Sequence, residues 1–205
     1  MKKTIQNVLL FSLVMLIGVL GAGCGTKSYI NVNYRLPLSS YDLKGKKVFL
    51  EIKDMRSDKA VFGEKAKTKF KNFTGLFLFS LSKGEKKNHV VGAFYLPALF
   101  EAAFSRRLEN MGIEILTEQK ETEPVIEIDL QNFLLDLADR KWVAEISYEA
   151  RLIKENRLLA RETISGNAKR YKLLSQGDVE KVLGEIFTDL VNNLDFRKLF
   201  QEAGM

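Results

Sequence analysis

Reactive side chains are few in this chain, with one cysteine and one histidine among 205 residues. Cys24 stands directly after Gly21, Ala22 and Gly23, which follow an apolar run over residues 8–20 and a positive end formed by Lys2 and Lys3. That order suits one piece of chemistry, the acylation of a thiol at a bacterial lipoprotein signal. The apolar run enters the exporter, small side chains let a peptidase reach the bond, and Cys24 becomes the lipid-bearing first residue of the mature chain. A leucine normally stands three places before such a cysteine; here Gly21 does, with Leu20 one place further back. The run holds about 13 residues, short of the roughly 20 that span a bilayer. A secretory signal cleaved without lipidation is the rival reading, and it leaves Cys24 unexplained, since a solitary cysteine has no intramolecular disulfide partner.

Two groups of carboxylates come next. Asp54, Arg56 and Asp58 place two acids around one guanidinium, an arrangement expected to form an ion pair that fixes the chain where it leaves a strand, with polar-ligand binding as the functional alternative. Glu127 and Asp129, with Asp136 and Asp139 beyond them, are the remaining group. Glu127 and Asp129 share a strand face and could flank a sugar as glycosidase carboxylates do; the ordinary expectation is the solvated side of an alternating strand. His89 has no cysteine or second imidazole near it and is expected at the surface rather than on a metal. No nucleophile–base pair, phosphate-cradling glycine loop or nucleophile elbow is present, so no catalytic residue, metal or cofactor is expected.

Without residues 1–23, about 182 residues remain, enough for one domain with a core. The formal charge of +6 includes the two lysines of the signal, which has no acidic residue, and leaves +4 for the rest. That excess is mixed along the chain rather than gathered on one basic face, which argues against nucleic acid as a partner. The expected division is a signal peptide over 1–23, a lipidated tether with an edge strand over 24–45, and a single α+β domain over 46–205.

Periodicity supplies the scaffold. Strands are expected over 29–34 and 46–54, the latter with Val48, Leu50 and Ile52 on one face. Leu96, Leu99, Phe100, Ala103, Phe104, Leu108 and Met111 recur at helical spacing behind Pro97 and before Gly112. Ile126, Ile128 and Leu130 have the opposite parity to Phe133, Leu135 and Leu137, which requires a β-bulge near Gln131 or Asn132. Clean alternation follows from Trp142 to Leu152, then a strand whose inward residues Ala160, Gly166 and Ala168 are small enough for a helix to lie close over it. That helix is predicted over 178–194. The fold class is α+β, a mostly antiparallel sheet in a meander with two amphipathic helices on one face.

Residues 70–95 depart from this regularity. Phe73, Leu76, Phe77, Phe79 and Leu81, with Leu78 among them, form a strand apolar on both faces, followed by a polar turn and a second apolar run. Such a hairpin must be covered. The ordinary cover is the protein's own helices; the functional alternatives are a lipid tail, the membrane surface or a protein partner, which make these five residues candidate binding positions.

With these features in order, the chain resembles the YajG-like family of small bacterial lipoproteins. The resemblance runs through the signal and Cys24, Leu36-Pro37, the approach from Leu43 to Val48, Asp54-x-Arg56-x-Asp58, the helix ending at Met111-Gly112, the strand over 130–138 and the final helix. The Phe-rich region is longer here than the family leads one to expect. The resemblance implies an envelope lipoprotein without an assigned enzymatic activity; the leading expectation is a non-enzymatic accessory module anchored by Cys24 at the periplasmic face of the outer membrane, with an envelope protein as partner. Gly25, rather than Asp, after the cysteine favours the outer membrane in a two-membrane host. The alternatives are a lipid- or hydrophobic-ligand-binding auxiliary of an envelope transport system and, less favoured, a glycan-acting enzyme.

Overall fold

The computed structural model describes residues 28–83, 88–171 and 177–205. Cys24 lies outside them, as does the turn over 84–87. Among the described residues, eight strands and four helices follow in order: β1 (Tyr29–Leu36), β2 (Lys47–Asp54), α1 (Glu64–Lys67), β3 (Leu76–Lys83), β4 (His89–Phe94), α2 (Leu96–Asn110), β5 (Glu114–Ile115), β6 (Val125–Ala138), β7 (Lys141–Lys154), β8 (Arg157–Tyr171), α3 (Gly177–Asn193) and α4 (Phe196–Glu202). The fold is α+β with mostly antiparallel pairing, as expected.

The strands form two sheets rather than one, in the orders β1-β3-β4 and β5-β2-β6-β7-β8. The meander β6-β7-β8 and the hairpin β3-β4 are antiparallel, whereas β1 runs parallel to β3, and β2 runs parallel to β5 and β6. Parallel neighbours need a long crossover. Between β2 and β6 that crossover carries α1, the β3-β4 hairpin, α2 and β5, so two strands of the small sheet are an excursion from the large one, while β1 precedes it.

The bulge sits where the change of parity places it, between Leu130 and Asn132, and it keeps both Ile128 and Phe133 buried. In β7, Trp142, Ala144, Ile146, Tyr148, Ala150 and Leu152 all point inward. Both long helices cover that inner face. Phe104 of α2 meets the Tyr148 ring edge-on, at 5.5 Å, and the Tyr148 hydroxyl donates to the Leu190 carbonyl of α3 at 2.8 Å. A Cβ on Gly166 of β8 would lie 3.0 Å from Leu190 Cδ2, so the small inward residue is what lets α3 approach. Gly112, at φ +86°, ends α2 as expected, and its N–H donates to the Glu109 carbonyl.

The edge of β1 explains a second close approach. An edge strand exposes unpaired backbone groups, and α3 satisfies them here with side chains. Asn31 N–H donates to Glu180, Arg35 N–H donates to Thr188 Oγ1, and the Arg35 carbonyl accepts from Asn192 Nδ2. Gly184 lies between them, where an added Cβ would be 3.1 Å from the Asn33 carbonyl oxygen and 3.4 Å from its nitrogen. Ala is about 1 kcal/mol better than Gly inside a helix, yet Gly184→Ala is expected to lower stability by roughly 1 kcal/mol, because the clash is with backbone that the flanking bonds hold in place. The midpoint of denaturant unfolding measures the sign.

Candidate functional sites

Asp54, Arg56 and Asp58 are brought together only in part. Asp54 binds Arg56 in bidentate fashion, Oδ1 to Nε and Oδ2 to Nη2, each at 2.9 Å. Nη1 of the buried Arg56 turns the other way and donates to the carbonyls of Ala60, at 3.3 Å, and Phe133, at 3.4 Å. Asp58 does not join this pair: its Oδ1 accepts from Ala60 N–H at 2.8 Å and shapes the turn. The reason is the path of the chain. β2 pairs with β6 up to Leu130, where Met55 N–H closes the ladder, and the chain rejoins β6 beyond the bulge through Gly63 N–H and the Val61 carbonyl, both bonded to Leu135. Arg56 fills the gap and serves the β6 carbonyl that has lost its strand partner. The Arg56 hydrogen bond holds the Asp54 carboxyl down at about 2, from an ordinary 3.8.

Glu127 and Asp129 are not solvated; both are buried. Strand pairing sets Glu51 beside Glu127 and Lys53 beside Asp129 on one flank, and Arg151 beside Glu127 and Glu149 beside Asp129 on the other. Arg151 Nη2 donates to both Glu127 and Asp129, and Lys53 donates to Glu127. Burial pushes Glu127 up, but the Lys53 and Arg151 cations outweigh it and leave it lowered. Burial also pushes Asp129 up; Arg151 opposes this without overcoming it, and Asp129 Oδ1 has no donor among the described residues. Two carboxylates displaced in opposite directions resemble an acid–base pair. Here, however, one guanidinium nitrogen of Arg151 bridges the two carboxylates. Lys53 and Arg151 are the residues that sequence reasoning missed, because each is an ordinary outward position of its own strand. The available signal was opposite charge on facing positions, legible only once strand order is known.

The candidate binding residues of the Phe-rich hairpin divide by face. Phe77 and Phe79 are fully buried and Leu81 is 8% exposed, so all three belong to the core rather than to an open site. Phe77 meets Phe133 of β6 at 5.6 Å, and Phe79 meets Tyr34 and Phe94, each at 6.2 Å. The protein's own elements supply the cover. Leu76 is half-buried on the opposite face of β3. Phe73 is half-buried in the loop before β3, against Phe62 and Phe77.

An open groove of about 550 Å³ lies between β1 and α3, lined by Asn31, Asn33, Arg35, Glu180, Lys181 and Glu185 among others. Its walls are polar and partly paired, with Glu180 accepting from Asn31 and Glu185 from Arg170. His89 is exposed, and among the described residues no cluster of His, Cys, Asp and Glu could hold a metal ion. No helix among the described residues is long and apolar enough to cross a membrane.

The chain is similar in structure to a Xanthomonas campestris protein of the family DUF330, with 15% identity, a TM-score of 0.50, and coverage of 80% of this chain and 93% of that one. It is also similar to a hypothetical protein from Chlamydia trachomatis, at 11% identity and a TM-score of 0.45 over 79% of this chain and 99% of the other. A minor lipoprotein from Acinetobacter baumannii is similar at 8% identity and a TM-score of 0.39, over 78% and 91%. No family model and no curated protein matches the sequence. What the Xanthomonas comparison establishes is a shared α+β fold.

Proposed function

We propose that this protein is a non-enzymatic envelope lipoprotein of the YajG-like kind, anchored through a lipidated Cys24 at the periplasmic face of the outer membrane and serving as an accessory module for an envelope protein partner. The observation that carries the reading is the sequence from Met1 to Cys24, in which a positive end, an apolar run and three small residues lead to the chain's only cysteine. The described body is consistent with this, since β1 begins five residues after Cys24 and leaves a short tether. Carboxylates locked onto internal cations suit a module better than a catalyst.

Cys24→Ser is the direct test. The wild-type protein is expected to sediment with membranes and to incorporate labelled fatty acid, whereas the variant loses the label and passes to the soluble fraction. One acyl chain holds only marginally and two hold stably, so release of the variant is expected to be nearly complete. Equal sedimentation of both forms, with no label on the wild type, overturns the anchor.

A further inference from the structure

Beside the point where the chain from Cys24 enters the fold lies a segment of exposed positive charge. Residues 64–74 are wound into consecutive turns, with Lys67 N–H bonded to the Gly63 carbonyl, Lys69 N–H to Ala66, Phe70 N–H to Lys67 and Phe73 N–H to Phe70. Ala66, Phe70 and Phe73 face the protein: Phe70 stacks on Phe62 at 4.7 Å and touches Trp142 at 5.7 Å. Lys65, Lys67, Lys69 and Lys71 consequently all face solvent. Between Lys59 and Gly84 the only acidic residue is Glu64. No ion pair engages these four lysines among the described residues, while Lys47, Lys53, Lys59 and Lys198 each have at least one.

Position turns this charge into a recognition surface. The Ser28 carbonyl accepts from Thr74 N–H at 3.0 Å and from Thr74 Oγ1 at 2.8 Å, which ties the end of the tether to the end of the lysine segment. Cys24 is four residues before Ser28, a reach of at most about 14 Å for an extended chain. Tyr29 and Tyr95 are exposed at the same end; Tyr29 opens β1 opposite Leu76, and the Tyr95 ring lies against Gly75. Tyrosines are favoured at the depth of lipid headgroups, where an apolar ring and a polar tip are both satisfied.

We infer that the Lys65-Lys67-Lys69-Lys71 segment, flanked by Tyr29 and Tyr95, docks on the anionic phospholipid headgroups of the leaflet that holds the lipid of Cys24, and so fixes the orientation of the domain on the membrane. The inference rests on the lipoprotein reading, because a lipid on Cys24, four residues before Ser28, would hold this face near the bilayer. Surface attraction of this kind decays within about 8 Å at physiological salt, and the short tether keeps the lysines close to that range. Each lysine near such a surface is worth about a five-fold preference for anionic over neutral lipid.

The test uses the full lipidated protein reconstituted into vesicles of phosphatidylcholine alone or of phosphatidylcholine with phosphatidylglycerol, with amine acylation rates read residue by residue by mass spectrometry. Lys65, Lys67, Lys69 and Lys71 are expected to react about five-fold more slowly in the anionic vesicles, with the difference abolished by high salt. Lys120, beside Glu155 at the far end of the β6-β7 hairpin, is expected to react equally in both. In the doubly substituted Lys67→Glu, Lys69→Glu protein, whose changes are confined to exposed positions, the protection of Lys65 and Lys71 is expected to disappear. Equal rates in the two vesicle types overturn the inference, as does protection of equal size in neutral vesicles, which would report a protein contact instead. Retention by neutral vesicles, with an acyl mass on Cys24, reads the anchor separately; loss of that retention overturns the lipoprotein reading itself.

Discussion

Phe100→Ala is expected to destabilise the protein by about 3–5 kcal/mol. Phe100 is fully buried in α2, and its ring is the meeting point of elements far apart in sequence. It packs edge-on to Phe187 of α3 at 5.0 Å, Phe133 of β6 at 6.3 Å and Tyr148 of β7 at 6.4 Å, and lies 6.2 Å from Phe104 of its own helix. Phe133 in turn touches Phe77 of the small sheet, so the cluster joins both sheets to both long helices. An alanine there removes the ring and leaves a cavity that no single neighbour can fill, since those neighbours are held by separate elements. Denaturant unfolding of the full chain measures the loss. Phe100→Leu, which keeps most of the apolar volume, is expected to recover more than half of it; a loss below 1 kcal/mol for the alanine variant would show that the cluster does not couple the sheets.

Arg56→Met is expected to cost about 3 kcal/mol, by a different physical route. The methionine keeps apolar volume but strands a carboxylate and the Phe133 carbonyl that the guanidinium served. Breaking one partner of a buried pair typically costs about 3–5 kcal/mol; the lower end applies because Asp54 is 19% exposed and keeps a contact to Lys59 at 3.1 Å. The effect should depend on pH with a definite sign. Asp54 is lowered in the folded state from 3.8 to about 2, so its contribution is complete above pH 4 and is lost as pH falls towards 2. A displacement of that size corresponds to about 2 kcal/mol. The difference between wild type and Arg56→Met is therefore expected to be widest at neutral pH and to narrow between pH 4 and 2. A difference that is constant with pH would mean that lost packing, not the ion pair, is responsible.

Much of the scaffold was legible because it is local. The parity change between Leu130 and Phe133 located the bulge without any knowledge of partners, since side chains alternate with period two and both sets are apolar. Small residues at Ala160, Gly166 and Ala168 announced the close helix for the same reason, as did the unbroken apolar stripe of α3. The candidate sites were less legible. Glu127 and Asp129 read as solvent-facing because alternation knows only inside and outside; their burial comes from Lys53 and Arg151 on flanking strands. Asp58 was joined to Arg56 by spacing alone, and the turn at Ala60 draws it away.

The α+β class, the two long helices and the phase of the meander could be read from the sequence, because each depends on residue types within one stretch of chain. Contacts between distant segments decided that the strands divide into two sheets, that β1 pairs in parallel with β3 and β2 with β5 and β6, that Phe77 and Phe79 are core, and that four lysines gather beside the start of β1. Those outcomes depend on which distant segments meet. Hydrogen-bonding capacity is the same at every backbone position, so the choice of strand partners falls to the burial and complementarity of the whole fold, which no single stretch encodes.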